Sequence, residues 1–185
     1  MSKILISGYY GFANAGDEAM LTAIIESLRQ VEKNVELTVL SGNPEDTAAK
    51  HQVCSVYRFN PLGIIRAMKD SELIISGGGS LLQDVTSKRS LLYYLSIIGL
   101  GKFFGKKVML FAQGIGPIRA KWARKLTSLV CNEADLITVR DSESAAELIE
   151  MGVKPEKITV TADSVLSLNP VTKECGQYLL QEAGV

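Results

Sequence analysis

Short apolar runs alternate with longer amphipathic stretches from one end of the chain to the other. Lys3–Ser7, Glu36–Ser41, Glu72–Ser76, Lys107–Ala112, Leu136–Arg140 and Lys157–Thr161 are each dense in Val, Ile or Leu. Runs this short and this continuous predict strands buried on both faces. Gln52–Tyr57 is a weaker strand candidate. Between the runs, Met20, Leu21, Ile24, Ile25 and Leu28 recur at helical spacing within Glu18–Val31. Leu62–Lys69, Ser87–Gly99, Lys121–Asn132 and Ser142–Met151 predict further helices. Asp141 or Ser142 can cap the last of these, and Gly152 stands where a helix stop belongs.

This alternation predicts an α/β fold, a Rossmann-like parallel sheet flanked by helices. Ligands of such sheets bind outside the carboxyl ends of the strands. The loops that follow the strands are therefore where function is expected. Beyond Asp163 the chain passes through Leu166-Ser167-Leu168-Asn169-Pro170 into a helical stretch, Lys173–Ala183, and then Gly184-Val185. That pattern reads as a domain exit. Residues 1–168 are expected to form one domain, and 169–185 to begin a linker or second domain.

Four strand-end loops carry candidate chemistry, and a fifth is ambiguous. The first runs from Gly8 to Glu18, with glycines at Gly8, Gly11 and Gly16. It does not fit GxGxxG. Gly11 and Gly16 have P-loop spacing, but Asp17-Glu18 stands where a P-loop needs Lys and Ser or Thr to neutralise phosphate. Dinucleotide binding and ATP hydrolysis are both disfavoured. The glycines allow close backbone approach, Asn14 can donate or accept, and Asp17 reads most simply as a helix N-cap, with a ligand-binding or acid–base role as the alternative. The second loop is Gly77-Gly78-Gly79-Ser80, with Gln83 and Asp84 close behind. Its backbone N–H groups can form an anion-binding nest. In the third, Gln113-Gly114-Ile115-Gly116-Pro117, the Gln113 side chain is expected to point into the crevice, while Arg119, Lys121 and Arg124 read as a solvated helix face. In the fourth, Arg140 closes a buried strand and offers a planar fork suited to phosphate or carboxylate. Asp163, after the last strand, could contact ligand or hold a hinge.

Composition narrows the partners. Lys plus Arg and Asp plus Glu are 20 each, so no net field favours nucleic acid, although a small anion can still be held locally. Three separated cysteines, Cys54, Cys131 and Cys175, form neither a disulfide framework nor a metal pair, and fit a reducing compartment. The lone histidine, His51, excludes a multi-His metal site and is expected in a loop remote from the crevice. The N-terminal apolar run is too short for a signal peptide. Leu91–Leu100, the most apolar stretch, is far shorter than the roughly 20 residues of a membrane helix. It reads as a buried core helix, with contact with a membrane surface as the alternative.

The ordered set Gly8–Ala19, Ser76–Asp84, Gln113–Pro117, Arg140–Ser144 and Thr161–Asp163 resembles the polysaccharide pyruvyltransferase family, in particular its CsaB-type members. The resemblance covers almost the whole chain. It implies the N-terminal, donor-side domain of a GT-B-like two-domain enzyme whose second half is not in this chain. It implies phosphoenolpyruvate as co-substrate, no cofactor, no metal, and a cell-surface glycan acceptor, often lipid-linked, in a cytoplasmic setting that extends to the inner face of the membrane. The product is a pyruvate ketal, which in bacterial members marks cell-wall polymer for surface-layer (S-layer) proteins. Gly11, Asn14, Gly16, Asp17, Gly77, Gly78, Gly79, Ser80, Gln83, Gln113, Gly114 and Arg140 are the expected substrate-binding residues, Arg140 matching the family's donor-binding arginine. Asp17 and Asp163 are candidate acid–base groups, the main ones being expected in the other half. This chain alone is therefore expected not to turn over. Two rival readings remain: a GT-B glycosyltransferase using a nucleotide sugar, and a non-catalytic domain that binds an anion or a partner.

Overall fold

The computed structural model describes residues 1–85, 87–170 and 173–182. Seven parallel strands form one sheet: β1 (Lys3–Tyr10), β2 (Glu36–Ser41), β3 (Cys54–Tyr57), β4 (Leu73–Gly77), β5 (Lys107–Gln113), β6 (Leu136–Val139) and β7 (Ile158–Val160). Their order is β3-β2-β1-β4-β5-β6-β7. The helices between and after them are α1 (Ala15–Val31), α2 (Pro44–His51), α3 (Pro61–Asp70), α4 (Lys88–Phe103), α5 (Lys121–Glu133), α6 (Ser142–Glu150) and α7 (Lys173–Glu182). The end of the C-terminal helix expected at Ala183, and Gly184-Val185, lie outside the described residues.

Period-two alternation in β1 divides the core between the sheet's two faces. Ile4 and Ile6 pack with Leu21, Ile24 and Ile25 of α1 on one side. Leu5 belongs to the larger cluster, with Ile64 and Met68 of α3, Leu91, Leu95 and Ile98 of α4, and Leu148 of α6. The Leu91–Leu100 stretch is thus a core helix, as expected: Leu91, Tyr94, Leu95, Ile97 and Ile98 are all buried. Among the described residues, no helix is long and apolar enough to cross a membrane.

The six apolar runs and the weaker one are all strands, with ends that differ by a few residues. One helix was not expected. α2 has the sequence PEDTAAKH and buries only Thr47, so it carries no apolar periodicity. Its signal is in its start instead: Asn43 caps it, accepting from the Asp46 N–H at 3.4 Å, and Pro44 occupies the first turn. This helix also moves His51, which ends it, out of the loop expected for it.

At the amino end of the sheet, Asp135 fastens β5 to the turn before β6. Burial pushes its carboxyl up, but hydrogen bonds from Lys102, the Val108 N–H and Lys107 outweigh that and hold it down at about 2. A depressed carboxyl stabilises the fold above its ordinary range and loses that contribution as pH falls through the folded value. Its side chain is 31% exposed, so solvent screening leaves about 1–2 kcal/mol. Asp135→Asn is expected to cost that much in urea denaturation at pH 6 and to match wild type near pH 2. An equal deficit at both pH values would refute the ion-pair account.

Candidate functional site

The strand order reverses between β1 and β4, so the loops after these two strands splay apart at the carboxyl edge. What holds them is Tyr10, wholly buried, whose hydroxyl donates to the Gly77 carbonyl at 2.5 Å. Burial pushes that hydroxyl far above its ordinary range, and it stays protonated. Gly78 and Gly79 both have positive φ, +90° and +66°. A Cβ on Gly78 would stand 2.7 Å from the Tyr10 hydroxyl, so this glycine is required by packing as well as by backbone. The Gly79 N–H points at the Met20 sulfur, 2.9 Å away, which occupies one donor of the expected nest. The loops after β4 and β5 then run side by side, joined from Gly114 N–H to Gly79 O and from Gly116 N–H to Leu82 O.

A cleft of about 360 Å³ opens over the switch point, lined by Tyr9, Asn14, Asp17, Ser80, Gln83 and Tyr94 among others. Four of the expected site residues therefore meet here: Asn14, Asp17, Ser80 and Gln83. Asp17 is not the cap of α1. Asn14 is, its amide oxygen accepting from the N–H groups of Gly16 and Asp17 at 3.0 and 3.3 Å. Asp17 is already inside the first turn, and its carboxylate makes no cap bond. Burial, and then the neighbouring Glu18, raise the Asp17 carboxyl above its ordinary range. Gly11, with φ +77°, packs against Ser41–Asn43 and donates its N–H to Glu18 at 2.8 Å; it shapes the loop from behind. His51 stands against that same Glu18, 3.5 Å from its other oxygen, with the side chain 10% exposed. It lies behind the loop after β1 rather than far from it.

Beyond Ser80 lies a second, shallower depression of about 520 Å³ between the loop after β5 and α6, lined by Gly116, Arg119, Arg124, Arg140 and Asp141 among others. Ser80 joins the two, accepting from Arg140 Nη2 at 3.3 Å. Gly114 permits this contact, since a Cβ there would be 2.7 Å from Ser80 Oγ and 2.8 Å from Arg140 Cζ. Arg140 is also ion-paired, through Nε to Asp141 and through Nη1 to Asp163, at 3.3 and 3.2 Å. Both oxygens of Asp163 are engaged, one by Arg140 and the other by the Val165 N–H, so it ties the segment after β7 in place. Asp141 caps α6 through the Ser144 N–H at 2.7 Å, and the Ser144 hydrogen bonds with the Arg140 ion pair hold its carboxyl low.

Two further expectations fail here. Gln113 does not point into the crevice; it is wholly buried, and its amide donates to the Ser76 carbonyl at 3.1 Å. A buried amide must find partners, and the neighbouring strand end supplies one. Arg124 is not on a solvated face, for it pairs with Glu147 at 2.6 Å and with Glu150 at 3.1 Å. Tyr9, Tyr94 and, behind them, Arg58 were not foreseen. Arg58 directly follows β3, so the same strand-end rule that selected Arg140 points to it.

No curated protein matches the chain. Solved structures with the same fold include Anabaena HepE in complex with UDP and glucose, at 14% identity and TM-score 0.64, with 100% of this chain covering 50% of that one. A glycosyltransferase from Rickettsia africae ESF-5 has 11% identity and TM-score 0.61, with the same coverage. A UDP-GlcNAc 2-epimerase from Neisseria meningitidis has 14% identity and TM-score 0.53, covering 90% of this chain and 47% of the other. At such identities the likeness shows the fold alone, a Rossmann-like half of the GT-B architecture, and this chain spans about half the length of these structures. The model of the polysaccharide pyruvyl transferase family matches residues 14–174, from the cap of α1 into α7, and the chain belongs to that family.

Proposed function

We propose that this chain is the donor-side half of an enzyme that transfers pyruvate from phosphoenolpyruvate to a glycan as a ketal, with release of phosphate. Family membership supports the class of reaction. The observation that carries the donor assignment is the placing of Asp17, its carboxyl raised by burial, in one cleft with Asn14, Ser80 and Gln83. Arg140 reaches the same cleft through Ser80.

The chemistry uses these groups in turn. A proton is added to C3 of the enol, and a sugar hydroxyl forms a bond to C2 as its own proton departs. The C2–O bond to phosphate then breaks, and phosphate leaves with that electron pair. A second hydroxyl of the same sugar bonds to C2 and closes the ketal, losing its proton. In this scheme Asp17 supplies the first proton, a task suited to a carboxyl raised from its ordinary value. In this scheme Arg140 and Ser80 hold an oxyanion, for which Arg140 must loosen from Asp141 or Asp163. No cofactor is required, because the donor carries its own leaving group.

The test is an assay of the full-length protein with phosphoenolpyruvate, a cell-wall glycan and, separately, nucleotide sugars. Phosphate release that depends on both phosphoenolpyruvate and glycan is the expected result. Consumption of a nucleotide sugar, with phosphoenolpyruvate untouched, would replace this reading with that of a glycosyltransferase.

A further inference from the structure

Arg58 is the most deeply buried charged side chain among the described residues, 5% exposed, and no carboxylate pairs with it there. Its guanidinium carbon lies 4.4 Å from the centre of the Tyr93 ring, 5.2 Å from Phe59, 5.3 Å from Phe12, 5.4 Å from Tyr94 and 5.9 Å from Tyr9. Nη1 donates to the Gly8 carbonyl at 3.5 Å and Nη2 to the Tyr94 hydroxyl at 3.3 Å, while Nε has no partner. Ring faces soften the burial of a cation but bring no negative charge. A guanidinium held this way remains short of a counter-ion.

Tyr94 is where that shortage meets the cleft. Its side chain comes from α4, lines the cleft with Tyr9, Asp17 and Gln83, and accepts a hydrogen bond from Arg58. A hydroxyl that accepts from a cation has its own proton left to give, and gives it more strongly. Burial, opposed by Arg58, keeps Tyr94 above its ordinary range and therefore protonated.

We propose that Arg58 and Tyr94 form a relay that reads a ligand oxyanion, phosphate or carboxylate, in this cleft: Tyr94 donates to the anionic oxygen, and Arg58 behind it supplies the charge. The relay lies in the cleft assigned above to the donor, and it requires an oxyanion there but not phosphoenolpyruvate in particular. Arg58 is a positioning residue, since it acts through Tyr94.

The experiment titrates the 185-residue chain with inorganic phosphate, pyruvate, phosphoenolpyruvate and a neutral methyl glycoside, following backbone chemical shifts. Wild type is expected to bind at least one anion, with shifts at Tyr94 and Ser80. Tyr94→Phe, which keeps the ring and the packing, is expected to weaken that anion about tenfold or more. Arg58→Met is expected to weaken anions and leave glycoside binding unchanged, and Arg58→Lys to restore part of the loss. A merely structural Arg58 would lower both kinds of binding together. Absence of anion binding by wild type at about 10 mM ligand, or equal anion affinity in Tyr94→Phe, overturns the relay. Which anion binds separates sources: phosphate and phosphoenolpyruvate without pyruvate marks a phosphate subsite, and pyruvate a carboxylate one. Binding of phosphate with no phosphoenolpyruvate-dependent turnover of the full-length protein would sink the donor reading and leave the relay standing.

Discussion

Gly8→Ala is expected to cost about 3–5 kcal/mol and to shift the urea midpoint accordingly. The methyl group would enter the Tyr10 ring and approach the Gly77 carbonyl to 2.5 Å. Neither neighbour can retreat. Tyr10 is wholly buried, and its hydroxyl is bonded to that same carbonyl, so any shift of the ring breaks a buried hydrogen bond. The Gly8 carbonyl is also an acceptor for Arg58, so displacement of this backbone disturbs the aromatic cage as well. A domain of this size has only about 5–15 kcal/mol of stability in all, and the variant loses a large part of it. Gly99→Ala is the contrasting control. Gly99 lies within α4 with open space where a Cβ would go, and alanine there is expected to stabilise by about 0.5–1 kcal/mol. A Gly8→Ala protein as stable as wild type would mean that the loops after β1 and β4 are not locked together by Tyr10.

The sheet was legible because its strands are buried on both faces, and short continuous runs of Val, Ile and Leu between helical patterns suit little else. α2 was not legible by the same rule, because Thr47 is its one fully buried residue and it carries no apolar stripe. Its only signal is the Asn43-Pro44 start, which stands against a polar background. The site divided in the same way. Asn14, Asp17, Ser80 and Gln83 follow strands at the switch point, and position in the fold was enough to bring them together. Gln113 is the last residue of β5, and its register turns it inward, where Ser76 satisfies it. Which side of a strand end a residue faces depends on one step of register, and the bulge where β5 meets β6 alters that step between Leu110 and Gln113. Arg58 was hidden for another reason. Its strand was the weakest signal in the chain, and its cage draws Tyr9 and Phe12, Phe59, and Tyr93 and Tyr94 from three separate segments that only the fold brings together.

Asp17→Asn is expected to lower turnover of the full-length enzyme by about 10²–10⁴-fold, with a small change in KM. Asparagine keeps the shape of the side chain but lacks the acidic proton that the proposed reaction calls for. The pH profile distinguishes this from a packing effect. Burial and Glu18 raise the Asp17 carboxyl, and an anion bound beside it raises it further. In the proposed role of general acid it would act while protonated, so wild-type turnover is expected to fall as pH rises through the raised value, and the variant to lack that limb. Stability moves the opposite way. A carboxyl raised on folding costs the native state once pH passes its unfolded value, so the variant gains stability near neutral pH and gains none below about pH 3.8. A variant that is more stable and nearly inactive is the signature of a group held in the cleft for chemistry. Turnover within threefold of wild type, with the pH limb retained, would assign the proton to another group and leave Asp17 a residue of the cleft wall.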